Sequence, residues 1–334
     1  ARPLANRVGL AAFRWSAFAR HRFVFHANGP APFGIIWALM SDLFHFPTFD
    51  EQYPNLRERG IRKYAVVYLR DQIQRLLARR QCEEFTAFIN QHPMWAPIFR
   101  HNPYAARAVL DTYADNRFDR NARLQAVINN FTLAQNKPSA AKWQELVTQR
   151  TVVLNHPAPE LSISLNINHK DPLEGFFLVS LQSTERSRIY DAVFSFIAPN
   201  GLLITSIQGP HSSDAPELIR HTTKQLHGVR PMFMMVNVFK LMAAELGCEL
   251  YGIPHKSQAK FRWNDSSRLL FNYDAFWQEN QGSLEATGYW RLPTQIERTP
   301  LEEVQSKKRS MYRKRYEMLD TLEQDIRRFF RSES

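Results

Sequence analysis

From residue 201 to residue 258 the chain passes through a strand, a polar loop, two helices and a second strand, an order that narrows the fold more than any other stretch. Leu202-Leu-Ile-Thr-Ser-Ile-Gln208 is an apolar run fit for a buried strand. Gly209-Pro-His-Ser-Ser-Asp-Ala-Pro216 follows as a loop, with Asp214 expected to cap a helix and Glu217 at its third position. Gly228 breaks that helix and Pro231 opens the next. Phe233, Met234, Val236, Val238, Phe239, Leu241, Met242 and Leu246 nearly encircle this second helix, the mark of a core element. Gly247 ends it, and Cys248-Glu-Leu-Tyr-Gly-Ile253 reads as a strand running into Pro254-His-Lys-Ser-Gln258. A loop that opens a helix between two strands is a common cradle for a phosphate-bearing ligand. Gln208 and Gly209, at the strand end, are candidate contacts for it.

Ahead of this stretch lies an antiparallel meander. Leu161-Ser-Ile-Ser-Leu-Asn-Ile-Asn168 alternates strictly, so Leu161, Ile163, Leu165 and Ile167 share one face of a half-buried strand. Residues 175–181 and 189–197 predict further strands, and Pro199-Asn200-Gly201 predicts a turn into 202–207. Strands are also expected at 268–273 and 286–292, and a long amphipathic helix at 300–330.

The first 150 residues read as helical. Tyr64, Val67, Leu69, Ile73, Leu76 and Leu77 recur at helical spacing among Arg62, Arg70, Arg75, Arg79 and Arg80. Helices are expected at 83–90, 102–115, 121–134 and 140–150. The chain therefore divides into a helical region (1–150), a sheet region (151–299) and a C-terminal helix (300–334). The predicted class is α+β, a basic helical region packed on a mostly antiparallel sheet with flanking helices.

Charge follows the same division. The net charge is +11, and residues 1–150 hold 21 Lys and Arg against 11 Asp and Glu, nearly all of the excess. Arginine, whose fork suits phosphate, supplies 18 of those 21. Arg100, Arg107, Arg117, Arg120 and Arg123 are candidates for one basic patch. Such a field favours an anionic partner: a phosphorylated donor, an acidic lipid or tRNA. An equally ordinary reading is a basic surface without a ligand. Lys307, Lys308, Arg309, Arg313, Lys314 and Arg315 crowd the tail helix, either as a phosphate or RNA contact or as a solvated face balanced by nearby acids.

Other features exclude whole classes. Cys82 and Cys248 match no metal spacing, and the eleven histidines include no H-x-x-x-H pair, so no metal is expected. Neither a G-x-S-x-G elbow nor a G-x-x-x-x-G-K-[ST] loop appears, which argues against a serine hydrolase or a P-loop ATPase. No signal peptide is read in the arginine-bearing start, and no run approaches the ~20 apolar residues of a membrane span. A cytoplasmic protein, either soluble or peripheral at the inner membrane, is the expectation.

Four segments carry a resemblance: Tyr251-Gly-Ile-Pro-His-Lys-Ser-Gln258, Phe271-Asn-Tyr-Asp-Ala-Phe-Trp-Gln-Glu279, Gly288-Tyr-Trp-Arg-Leu-Pro293 and Ser306-Lys-Lys-Arg-Ser-Met-Tyr-Arg-Lys-Arg-Tyr316. They resemble the VirK/YbjX-like proteins of Gram-negative bacteria. The resemblance implies a link to virulence, resistance to cationic antimicrobial peptides and remodelling of outer-membrane lipid A, with no assigned reaction. A weaker resemblance is to the acetyltransferase-like fold, in which a Q/R-x-x-G-x-G/A turn opens the cofactor helix. Gln225 and Gly228 match that turn, whereas Arg230 stands where a small residue is expected and Pro231 removes one amide. Arg230 either pairs with a phosphate or blocks close backbone approach.

His255 follows a strand end and is a candidate base, or else a loop histidine bonded to backbone or water. Tyr273 and Asp274 are candidate catalytic partners, although Asp274 ahead of an apolar run also fits a helix cap. Taken with the two resemblances, they imply an acyl- or aminoacyl-transferase-like enzyme of envelope modification using acyl-CoA or aminoacyl-tRNA. The alternative is a non-catalytic peripheral factor that binds anionic lipid or a partner protein through its basic half. An RNA-binding protein is the third reading, without a recognisable nucleic-acid module.

Overall fold

The structure is a computed structural model that describes residues 43–137, 140–184, 188–261 and 271–331. From Phe44 onward these residues form one compact unit. The helical part comprises α1 (Phe49–Gln52), α2 (Ile61–Leu77), α3 (Arg79–Gln91), α4 (Ala96–His101), α5 (Arg107–Leu110), α6 (Arg120–Gln135) and α7 (Ala140–Gln149). The sheet begins where the sequence turns from helical to alternating, with β1 (Thr151–Ala158), β2 (Leu161–Ile167), β3 (Phe177–Ser183), β4 (Tyr190–Ile197) and β5 (Gly201–Gln208). Then come α8 (Ala215–Gln225), α9 (Pro231–Glu245), β6 (Glu249–Gly252), α10 (Tyr273–Glu279), β7 (Ser283–Leu284), β8 (Trp290–Leu292) and α11 (Ser306–Arg331).

The eight strands lie in the order β1-β2-β3-β4-β5-β6-β8-β7. β1 to β5 form an antiparallel meander, as the alternation predicts. β6 pairs with β5 in parallel, from Gly201 opposite Glu249 to Ile204 opposite Gly252. A parallel pair requires a crossover, and α8 and α9 supply it. The architecture is thus α+β with a mostly antiparallel sheet.

One face of the sheet carries the core. Ile163, Leu165, Phe177, Val179, Phe194, Phe196, Leu202 and Ile204 are buried there. α6 and α9 pack on β4, and α7 and α11 on β1. Aromatic rings interlock across the layers: Phe131 of α6 stacks on Phe176 at 5.0 Å, and Phe194 meets Phe239 of α9 edge-on at 5.4 Å. Polar contacts join the layers as well. Asn130 of α6 accepts the Phe196 amide (2.9 Å) and the Ser195 hydroxyl (3.1 Å), and the Tyr113 and Ser195 hydroxyls lie 2.9 Å apart. The opposite face of the meander bears Ser164, Asn166, Ser180, Asp191 and Ser206, all buried. Ser180 donates to Asp191 (2.7 Å) and Ser206 to Glu174 (2.7 Å), so these groups satisfy one another.

Four sequence expectations are corrected. The helix predicted over 102–115 is only a 3₁₀ turn (Pro103–Ala106) followed by α5, after which Ala114 takes a positive φ and Asp115 bridges to Gln258. Tyr273 opens a helix instead of ending a strand; most of that predicted strand lies outside the described residues. Asn272 caps this helix, its side chain accepting from Ala275 N, with Asp274 two residues inside. The five-arginine patch does not form. Arg107 is wholly buried on Asp71, Arg123 is buried and donates to the Val109 and Leu110 carbonyls, and Arg117 is held by Asp115.

Candidate functional site

α9 is where the physics of the core and of the cleft meet. Between Pro231 and Ala244 Lys240 is the one charged residue, in a helix otherwise built for burial. Lys240 is 6 % exposed and makes no ion pair among the described residues. It lines a cleft of ≈ 530 Å³ bounded by α9, the loop before it, the end of α10 and α11. Burial pushes the Lys240 ammonium below its ordinary 10.5, with Glu297 pulling the other way. A cation held this way favours either an anion in the cleft or its own neutral amine.

The loop ahead of α9 shapes one wall. His227 and Gly228 both take positive φ, closing α8 with a Gly228 N–H to Thr223 carbonyl bond of 2.8 Å. A Cβ at Gly228 would sit 2.7 Å from an Arg315 guanidinium nitrogen, so glycine is what lets Arg315 pass. Arg315 donates to the His227 carbonyl (3.0 Å), and its guanidinium lies 4.2 Å from the Tyr312 ring centroid. Arg230 is extended ahead of Pro231, with its guanidinium 5.5 Å from the Phe233 ring centroid. Arg230, Lys240 and Arg315 share the lining with Glu279 and Glu297, a net positive set. A second depression of ≈ 320 Å³ shares Arg230, Phe233 and Glu279 with it and extends to Tyr190 and Asn272. The first holds Lys240 and Arg315 beside Tyr312 and Tyr316, and the second adds the rings of Phe271 and Phe276.

The residues singled out from the sequence fall into separate places. Gly228 and Arg230 line the cleft. Gln225 turns away and donates to Glu160 (2.7 Å). Gln208 donates to the buried Glu174 (3.0 Å), whose carboxyl pKa burial raises. Gly209 lies against Tyr190, where a Cβ would come within 2.8 Å of the ring. His255, Tyr273 and Asp274 do meet beyond β6, but through structural bonds. Asp274 accepts the His255 backbone N–H (3.1 Å) and the Trp290 indole N–H (2.8 Å). The Tyr273 hydroxyl donates to the Ile207 carbonyl (2.8 Å) and accepts the Ile207 amide (2.9 Å). Nδ1 of His255 is buried without a hydrogen-bond partner among the described residues.

The tail cluster is divided. Arg315 enters the cleft, Arg309 donates to the Val304 and Glu302 carbonyls, and Lys307, Lys308, Arg313 and Lys314 are exposed. The sequence does not single out Lys240 or Tyr312 as site residues, and it names Arg315 only as one of six basic residues of the tail cluster. The lone lysine in an apolar helix was the available signal for the first. No described helix is long and apolar enough to cross a membrane.

The comparisons with known proteins agree on one relationship. The family described as "Protein of unknown function (DUF535)" matches residues 60–328. An uncharacterized protein of Haemophilus influenzae is 46 % identical over 283 residues, covering 85 % of this chain and 97 % of the relative. Membrane protein LapB of Mannheimia haemolytica is 29 % identical over 224 residues, 66 % of this chain and 96 % of that one. Protein YbjX of Escherichia coli is 25 % identical over 253 residues, 70 % and 72 %. No solved structure matches. With that family matching from α2 to α11, and with relatives that include YbjX and LapB, the chain belongs to the DUF535 family of VirK/YbjX-like proteins.

Proposed function

We propose that the protein is an acyl- or aminoacyl-transferase-like enzyme of envelope modification that takes a phosphate-bearing donor in the cleft between α9 and α11. The observation that carries this reading is Lys240, a buried lysine without an ion-pair partner among the described residues, on the wall of a cleft that also holds Arg230 and Arg315. Burial raises the fraction of neutral amine at Lys240. A neutral amine there suits removal of the proton that an attacking acceptor must lose. The two arginines suit the donor's phosphates, and the Tyr190, Phe271 and Phe276 rings of the adjoining depression suit its apolar chain. The parallel pairing of β5 and β6 around α9 adds support, since the acetyltransferase-like resemblance places its cofactor turn ahead of the corresponding helix.

Calorimetry with coenzyme A, an acyl-CoA and an aminoacyl-tRNA tests the reading. The wild type is expected to bind one of them. Arg230→Ala/Arg315→Ala should weaken binding at least about ten-fold, the loss of charge-assisted hydrogen bonds. Lys240→Met should keep binding and lose turnover. No wild-type binding to any of the three, or equal binding by the double variant, overturns the reading.

A further inference from the structure

α2 is built inside out. Ile61, Val66, Leu69, Ile73, Leu76 and Leu77 recur at the spacing of one helical stripe, and every one is exposed, from 49 % at Ile73 to 86 % at Ile61. Asp71 is the residue of α2 that is buried. It pairs with Arg107 at 2.7 Å and Arg75 at 2.6 Å, while Gln74 accepts from Arg107 at 2.6 Å. The polar stripe, with Tyr64 and Tyr68 packed on Phe49, is therefore the fastening, and the apolar stripe faces away from the other described residues. Contiguous apolar surface of this kind marks an interaction site.

Charge identifies the occupant. The exposed ionic side chains of α2 are Arg62, Lys63 and Arg70, all positive, and its one acid, Asp71, is consumed inside. A second copy docked through the same stripe would set these cations against their counterparts with no exposed acid on either helix. The chain's own first 42 residues carry five arginines against one aspartate, the same sign again. An anionic lipid surface answers both requirements. It accepts an apolar stripe into the acyl boundary and neutralises flanking cations at the headgroups. The helix, about 25 Å long at 1.5 Å per residue, is long enough to lie in that plane.

We infer that α2 is an interfacial membrane anchor, seating Leu69, Ile73 and Leu76 in an anionic bilayer surface while Arg62, Lys63 and Arg70 contact its headgroups. This surface is separate from the cleft, and its failure leaves the donor-binding reading untouched. The test is sedimentation of the full chain with vesicles of phosphatidylglycerol and phosphatidylethanolamine, against phosphatidylcholine vesicles, over a salt series. The wild type should pellet with the anionic vesicles, more weakly as salt rises past the ~10 Å screening length of 0.1 M. Arg62→Ala/Lys63→Ala/Arg70→Ala should lower the partition coefficient by about a hundred-fold at low salt, roughly five-fold per cation. Leu69→Glu/Ile73→Glu should abolish it at every salt. These side chains are exposed, so the wild-type thermal melt should be retained, and wild-type partitioning decides the matter even if a variant misfolds. A wild type that stays in the supernatant overturns the inference. So does a glutamate variant that pellets like the wild type, or a wild-type dimer that Leu69→Glu/Ile73→Glu converts to monomer.

Discussion

α2 and α11 are the two longest helices of the described residues, at 17 and 26 residues, and they face in opposite directions. α11 lays Met318, Leu319, Leu322, Ile326 and Phe330 on the sheet and leaves most of its lysines and arginines in water. α2 buries an aspartate and leaves every leucine and isoleucine it has exposed. Hydrophobic periodicity shows that a helix has two faces; the neighbours decide which one turns inward. Beside α11 lies an apolar sheet edge. Beside α2 lies Arg107, fully buried and requiring a carboxylate.

The difference can be broken most forcefully at Asp71. Asp71→Ala takes from Arg107 its buried carboxylate, leaving Gln74 and the more distant Asp111, and denaturant unfolding should show a loss of about 3–5 kcal/mol. A loss under about 1 kcal/mol would mean that α2 is held by something other than its polar stripe. The next test pairs one leucine from each helix. Leu322→Ala, at a fully buried site, should cost about 3 kcal/mol, while Leu69→Ala should stay within about 0.5 kcal/mol. Equal costs would erase the contrast.

The smallest expected effect concerns α9, whose lysine breaks the rule that α11 obeys. The folded pKa of Lys240 lies below the ordinary 10.5. Its contribution to stability is therefore present above pH 10.5 and is lost as the pH falls through the folded value. Lys240→Met should stabilise the protein by about 1 kcal/mol at neutral pH, and the gap to wild type should close as the pH approaches 10.5. Thermal melts across that range measure it. A gap independent of pH would mean that the lysine's charge carries no burial cost.

The sheet was legible because β2 alternates with period two and β5 is a short apolar run, both patterns that a buried strand produces. α9 was legible because only a core helix is apolar nearly all round. The interrupted stretch after Asn102 was not. Its path depends on Asp115 receiving Arg117 (2.7 Å) and the Tyr289 hydroxyl (2.8 Å), the latter from 174 residues away. Gly228 and Arg230 could be read as part of a ligand turn from local spacing. Arg315 joins them from α11, a distance in sequence that no local pattern spans. The orientation of α2 was equally hidden, because the residue that turns it lies on α5.

Beyond Ile204 the strand β5 has lost its parallel neighbour, and one phenol takes over. The Tyr273 hydroxyl gives and receives a hydrogen bond at Ile207 as a passing strand would, while 3 % exposed itself. An open strand edge invites pairing with another chain. Here a single removable oxygen serves as the chaperone of that edge, keeping it satisfied without committing a second backbone to it.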